Sequence, residues 1–424
     1  MTATASETSR NDQRPRVLFV NTRSALGADV AVHLTLIENL NPDAVRVYVA
    51  TNRHSADLDD TLRWIQRSPP ARLLVCDLGR ELVGRGLLAK IQGAVRNLPA
   101  LFTLLRLALL IRREGISVLH TTDRPRDAAF TTLLSRITGA SVVLHLHVKW
   151  TSEIGSAAKW AVKNADAIIG ISQFTCQSMV DGGIEPARIF RAYNATDANR
   201  YNPTTVSRGT LRARLGVADG VPLVGIIGRF TPWKGHLDLV TAFARVRESI
   251  PEARLVVVGR ATDDDAASPG GYVASIKRQI GELQLADAVT WVDWVGDVRG
   301  VMTDLDIMAM PSFEEPFGLV ATECMCMERP VVGYASGSLP ELITDGVEGL
   351  LVPAHDTAAL AQALVSLLRD PARRAAMGKS GRQRVIRDFS PRRQADDVTV
   401  LYRALARGGK VPGSDRVSAL AVPT

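Results

Sequence analysis

Cysteine is scarce in this chain. There are four in 424 residues, and Cys76, Cys176, Cys324 and Cys326 give no CxxC spacing. That excludes a disulfide-built scaffold and a thiolate zinc centre, and it suits a reducing cytoplasm. Aromatic residues make up only 5%, few for a protein that stacks bases along a single nucleic-acid strand. No apolar run reaches the roughly 18 residues that a bilayer span requires; the longest candidate, Leu98 to Ile111, is interrupted by Arg106. Met1 to Gln13 is polar and lacks the apolar core of a secretory signal, so residues 1–14 read as a disordered N-terminus. There is no GxxxxGK[ST] loop, and no GxGxxG follows the first apolar run, which removes a Walker nucleotide site and leaves a Rossmann dehydrogenase unsupported. The cationic excess is small, Lys+Arg 51 against Asp+Glu 44 for a net charge of +7. It suits phosphate-bearing small molecules or a membrane surface ahead of nucleic acid.

What is present is a repeated rhythm of short β-branched runs alternating with helical segments. In the first half the runs are Val17 to Asn21, Val45 to Ala50, Leu73 to Cys76, Val118 to Thr121, Val142 to Leu146 and Ala167 to Ile171. In the second half they are Leu223 to Ile227, Arg254 to Val258, Val289 to Val292, Ile307 to Met310 and Val331 to Tyr334. The runs are continuous rather than alternating, as parallel strands covered by helices on both faces require. The predicted fold class is α/β: two doubly wound Rossmann-like domains facing a cleft, where open parallel sheets bind their ligands. The break is expected near Asn202-Pro203, giving a first domain over 15–200 and a second domain over 205–390. A C-terminal helix over 391–407 is expected to pack back on the first domain, followed by a flexible tail over 408–424.

One insertion stands out. Between residues 80 and 113, Arg80, Arg85, Lys90, Arg96, Arg106, Arg112 and Arg113 face the single acid Glu81. Leu98, Leu101, Phe102, Leu105 and Leu109 recur there at helical spacing. Two readings fit: a basic amphipathic helix lying in a membrane interface, or core helices with solvated arginines outside.

Two stretches carry chemistry. Glu315-Pro-Phe-Gly-Leu-Val-Ala-Thr-Glu323 follows an apolar run and opens a helix. The amides of Gly318, Leu319 and Val320 would sit in its first turn, where free N–H groups and the helix dipole favour an anion. Glu315 and Glu323 flank that turn, and a carboxylate can accept from two sugar hydroxyls at once. A merely capped helix with favourable acids fits the same letters. In Gly228-Arg-Phe-Thr-Pro-Trp-Lys234-Gly235, the run Leu223 to Ile227 would deliver Arg229 and Lys234 to its carboxyl end. A guanidinium fork with a compact ammonium matches a diphosphate, although two solvated cations are the plain alternative.

Together these stretches resemble the donor-site signature of GT-B retaining glycosyltransferases, specifically glycosyltransferase family 4. Asp306 to Ser312, Gly337-Ser-Leu-Pro-Glu341 and Gly346-x-x-Gly349-Leu-Leu-Val352 extend the resemblance. It implies that Arg229 and Lys234 neutralise a donor diphosphate and that the amides of Gly318, Leu319 and Val320 hold phosphate oxygens. Glu315 would bind the donor sugar and Glu323 the ribose. It also gives His147, after the run Val142 to Leu146, the role of a catalytic histidine facing the donor sugar; His145 lies two residues earlier on the same strand face. Gly27 is the candidate for a loop contact. Three positions differ from the family pattern: Gly27 stands in Leu26-Gly-Ala-Asp29 without a paired glycine, Ala195 replaces a glycine in Asn194-Ala-Thr-Asp197, and Ser338 replaces another.

The implied activity is a metal-independent hexosyltransferase of class EC 2.4. It would move a sugar from a nucleoside-diphosphate donor to an acceptor hydroxyl with retention, in glycan or glycolipid biosynthesis. No cofactor and no metal are expected. Asp304-Leu-Asp306 has the letters of a metal-binding DxD but precedes its strand instead of following it, and Asp57-Leu-Asp59 reads as a solvated turn. The expected partners are the nucleotide sugar and an acceptor, lipid-linked if 80–113 touches membrane, with no nucleic acid. The expected location is cytoplasmic, with peripheral contact at the inner face of the membrane on that same condition. An epimerase or phosphorylase on the same fold is the enzymatic alternative. A silent binding protein is the other, although it would be expected to have lost Arg229, Lys234, Glu315 and Glu323.

Overall fold

A computed structural model of the chain describes residues 13–21, 28–55, 58–59, 62–63, 71–79, 96–151, 154–261, 270–293 and 296–413. The apolar runs become strands, and those at the middle of each sheet are buried at nearly every position, as parallel strands between two helix layers must be, whereas the edge runs Leu73 to Cys76 and Val289 to Val292 are only partly covered. The first seven are β1 (Arg16–Asn21), β2 (Arg46–Asn52), β3 (Arg72–Cys76), β4 (Val118–Thr122), β5 (Ser141–Leu146), β6 (Ala167–Gly170) and β7 (Ile189–Arg191). They form one sheet in the order β3-β2-β1-β4-β5-β6-β7, every pairing parallel. A second parallel sheet is built from β8 (Leu223–Ile227), β9 (Arg254–Gly259), β10 (Val289–Asp293), β11 (Ile307–Met310), β12 (Val331–Tyr334) and β13 (Gly349–Val352). Its order is β10-β9-β8-β11-β12-β13. In each sheet the order reverses beside the first strand, between β1 and β4 and between β8 and β11. The carboxyl ends of such strands are where doubly wound sheets take ligands.

The chain divides into two compact units, Met1–Tyr193 with Pro391–Thr424, and Asn194–Ser390. The crossing falls before Asn202-Pro203 because the segment from Asn194 is tied into the second unit. Thr196 donates its amide to Phe389 O at 2.9 Å and shares a 2.6 Å hydroxyl contact with Thr322, and Arg382 donates to the carbonyls of Ala198 and Tyr201. The return crossing sends the helix Pro391–Ala406 into the first unit, where Ala395, Val398, Leu401 and Tyr402 share a core with Val17, Phe19 and Val118. Two short strands, β7 and β13, escaped the reading of apolar runs. Ile189–Arg191 has only three residues, and Gly349–Val352 begins on a glycine that suggests a turn.

The helix Leu98–Glu114 begins on a Pro-containing first turn and ends on Gly115, whose φ of 62° is left-handed. It packs by Leu104, Leu107, Ala108 and Ile111. The stripe singled out from the sequence is the other face: Leu98, Leu101, Phe102, Leu105 and Leu109 are all exposed, Phe102 at 66% and Leu109 at 67%. Residues 80–95 of that insertion lie outside the described residues. Among the described residues, no helix is long and apolar enough to cross a membrane.

Candidate functional site

In the second unit the two sequence stretches are neighbours, because β8 and β11 pair in parallel at the point where the strand order reverses. After β8, the turn Pro232–Lys234 ends on Gly235, whose φ of 73° is left-handed. A Cβ at Gly235 would meet Pro311 O at 2.0 Å, so only glycine lets this turn close on the segment leaving β11. Phe313 N donates to Trp233 O at 2.9 Å and joins the same two loops. The result is the contact Lys234 Nζ to Glu315 Oε2 at 2.6 Å, both side chains largely buried. The ammonium also lies 4.3 Å from the centroid of the Trp233 ring. Arg229, on the same loop, is exposed and has no ion-pair partner among the described residues.

Gly318, at a left-handed φ of 92°, turns the chain into the helix Leu319–Cys326. No side chain caps this end, and the Gly318 carbonyl accepts from Ala321 and Thr322. The amides of Leu319 and Val320 therefore lead the helix with its positive dipole end. Ser338, the departure from the family pattern, is fully buried; its hydroxyl donates to Phe317 O at 2.7 Å and its amide to Glu315 O at 3.0 Å. The serine thus fixes the backbone on both sides of Pro316. Ala195 causes no strain either, since it is not among the non-glycine residues with positive φ.

Glu323 sits in the second turn of the helix, and its Oε1 accepts from Tyr201 OH at 2.7 Å. Burial pushes this carboxyl up to about 7, against the smaller lowering pull of the Tyr201 hydrogen bond and of Arg200. Tyr201 was not foreseen; it is the one aromatic residue of the polar stretch Asn199 to Arg208, which reads as a linker. The DxD letters belong to the scaffold. Asp304 accepts from the amides of Gly209, Leu211 and Arg212, capping the helix Thr210–Leu215, and Asp306 Oδ2 holds Arg212 Nη2 at 2.8 Å and Leu223 N at 2.9 Å.

In the first unit His147 lies just past the end of β5, and its amide donates to Asp123 Oδ2 at 3.4 Å. Its ring stacks on His145 at a centroid distance of 4.4 Å. His33, from the helix Ala28–Asn39, and His120, from β4, complete a group of four imidazoles that the sequence scatters over more than a hundred residues. His120 Nε2 is 3.3 Å from His145 Nδ1, and Tyr402 OH is 2.6 Å from His120 Nδ1. Burial, reinforced by the neighbouring imidazoles, drives His120 and His145 well below the ordinary histidine range, so both are neutral at pH 7. Gly27 lies outside the described residues.

Two family models match this chain: Glycosyltransferase Family 4 over residues 30–200 and glycosyl transferases group 1 over residues 207–384. The chain belongs to glycosyltransferase family 4. Among curated relatives, this family 4 chain is 35% identical over 227 residues to the D-inositol 3-phosphate glycosyltransferase of Segniliparus rotundus. That match covers 53% of the chain and 49% of the relative. It is 31% identical over 255 residues to the alpha-maltose-1-phosphate synthase of Mycobacterium tuberculosis, covering 57% and 64%. The matches thus span about half to two thirds of these relatives' lengths. Among solved structures, Anabaena HepE in complex with UDP and glucose superposes with a TM-score of 0.70 at 22% identity, covering 90% of this chain and 97% of that one. The fold is GT-B.

Proposed function

We propose that the chain is a hexosyltransferase that moves a sugar from a nucleoside-diphosphate donor to an acceptor hydroxyl. The observation that carries this is the Lys234–Glu315 pair, held by the loops after β8 and β11 beside an uncapped helix start. Breaking a sugar–diphosphate bond builds negative charge on the leaving phosphate and positive charge on the anomeric carbon. Lys234, exposed Arg229 and the amides of Gly318, Leu319 and Val320 would take the first charge, as preorganised donors that need no reorganisation during reaction. Glu315, released from Lys234 by the diphosphate, would accept from hydroxyls of the sugar. Glu323 would accept from the ribose, with Tyr201 fixing its orientation. His147 is the catalytic side chain that the first unit would contribute.

Retention of anomeric configuration and independence from metal belong to this reading through the family resemblance. All four cysteines are free thiols, which supports a cytoplasmic location. HepE binds UDP and glucose, so a UDP-linked hexose is the first donor to try. The exposed apolar face of Leu98–Glu114, with Arg106, Arg112 and Arg113 on the same helix, favours peripheral contact with an anionic lipid surface and a lipid-linked acceptor.

The test is a panel of UDP-, GDP- and ADP-linked hexoses, scored by thermal shift and then by acceptor-dependent release of the nucleoside diphosphate. Release only in the presence of an acceptor supports transfer. Turnover of the sugar without any acceptor would point to an epimerase, and no shift with any donor would point to a silent fold.

A further inference from the structure

We infer that His33, His145 and His147 form a binding site for one divalent transition-metal ion of the zinc type, distinct from the diphosphate-binding groups of the second unit. One ligand nitrogen from each lies within 4.8 Å of the others. Tetrahedral zinc with bonds of about 2.0–2.1 Å needs nitrogens roughly 3.4 Å apart, so modest ring rotations close the set. The backbone supplies what such a site requires. His145 is at the end of a rigid central strand, His147 follows it, and His33 projects from the helix that comes after β1.

The chemistry of the three ligands points to one class of ion. They are all imidazoles, with no carboxylate or thiolate among them, a set that suits zinc, copper or nickel and not magnesium or calcium. The Nδ1 of His145 is engaged with His120, which leaves Nε2 as its ligand atom, and that nitrogen has no hydrogen-bond partner among the described residues.

Ligation through Nε2 places the remaining ring proton on Nδ1, which then donates to His120 Nε2. His120 in turn carries its proton on Nδ1 and donates to the oxygen of Tyr402. A chain of this kind, fixing the tautomer of a ligand from behind, is the usual support of a metal-bound histidine. Three protein nitrogens leave a fourth position for water. Because His147 is also the proposed catalytic side chain, occupancy would slow sugar transfer. That consequence rests on the function proposed above, whereas the binding itself does not.

The experiment uses the full chain, stripped of metal, in equilibrium dialysis against Zn²⁺ without any nucleotide sugar, followed by metal analysis. One zinc per chain is expected, with affinity lowered at least about 10-fold by His33→Gln and by His147→Gln. His145→Gln replaces a fully buried side chain, so cobalt spectroscopy of the unaltered protein provides the independent check. Co²⁺ should give the intense visible bands of a four-coordinate nitrogen and oxygen site, without a thiolate charge-transfer band. The inference is overturned by no zinc above the background of the dialysis buffer, by stoichiometric zinc that survives both substitutions, or by octahedral cobalt spectra. Zinc binding with no transferase activity would sustain this inference and sink the functional one; transferase activity in a chain that takes up no zinc would do the reverse.

Discussion

The ammonium of Lys234 lies 2.6 Å from the carboxylate of Glu315, although the two residues are 81 positions apart in the sequence. Removing one partner strands the other charge in a largely buried place, which costs about 3–5 kcal/mol. Lys234→Met and Glu315→Gln should each lower thermal stability clearly. The double variant should regain much of that loss, because no lone charge remains. Turnover should stay at least about 100-fold down in all three. Stability measured by denaturant titration that falls additively in the double variant would show that the two side chains do not depend on each other.

Glu323 gives the second unit a pH signature. Its folded pKa, near 7, stands above the ordinary 4.5 of a free glutamate. Between those values the folded state binds more protons than the unfolded state, so this group makes stability fall as pH rises. Glu323→Gln keeps an acceptor for Tyr201 and should be stabilising at pH 8 by about 3 kcal/mol relative to its effect at pH 4. A pH-independent difference between the two proteins would remove the burial argument. If Glu323 also takes the ribose, KM for the donor should rise as pH drops below about 7.

The outward face of Leu98–Glu114 should bind anionic vesicles. Phe102→Asp and Leu109→Asp alter exposed positions, so their effect on folding should stay within about 0.5 kcal/mol. Flotation with phosphatidylserine vesicles should nevertheless be lost in the double variant, and in the unaltered chain it should weaken with salt. Equal flotation of the two proteins would assign the contact to another surface.

Asp304 caps three amides from a fully buried position, and its role is structural. Asp304→Ala should cost several kcal/mol, about 3–5, through donors left without an acceptor. Chelation with EDTA should not lower transfer, since this aspartate and Asp306 serve backbone and guanidinium groups. A chelator-dependent loss restored by Mg²⁺ would contradict that assignment.

Much of this was legible from residues alone. Continuous aliphatic runs such as Leu223 to Ile227 announce parallel strands because both faces are covered, and Arg229, Lys234, Glu315 and Glu323 were marked by their spacing around two such runs. What escaped depends on distance in sequence. His33, His120 and His145 each pass for an isolated core histidine until β1, β4 and β5 are laid side by side. Tyr201 hides in a polar stretch, and its partner Glu323 is more than a hundred residues away. Periodicity also leaves the faces of Leu98–Glu114 undecided: two apolar stripes interleave there, and only packing decides which one is covered.

The claim on which the functional account turns is that Arg229 and Lys234 grip a diphosphate. Calorimetric titration of the full chain with UDP, GDP and ADP tests it most directly, repeated on Arg229→Ala and Lys234→Ala. The account predicts that at least one nucleotide binds with one site per chain, and that each substitution weakens it by at least about 10-fold, the scale of one hydrogen bond to a charged group. Binding of equal strength in both variants, or no binding of any of the three, would contradict it.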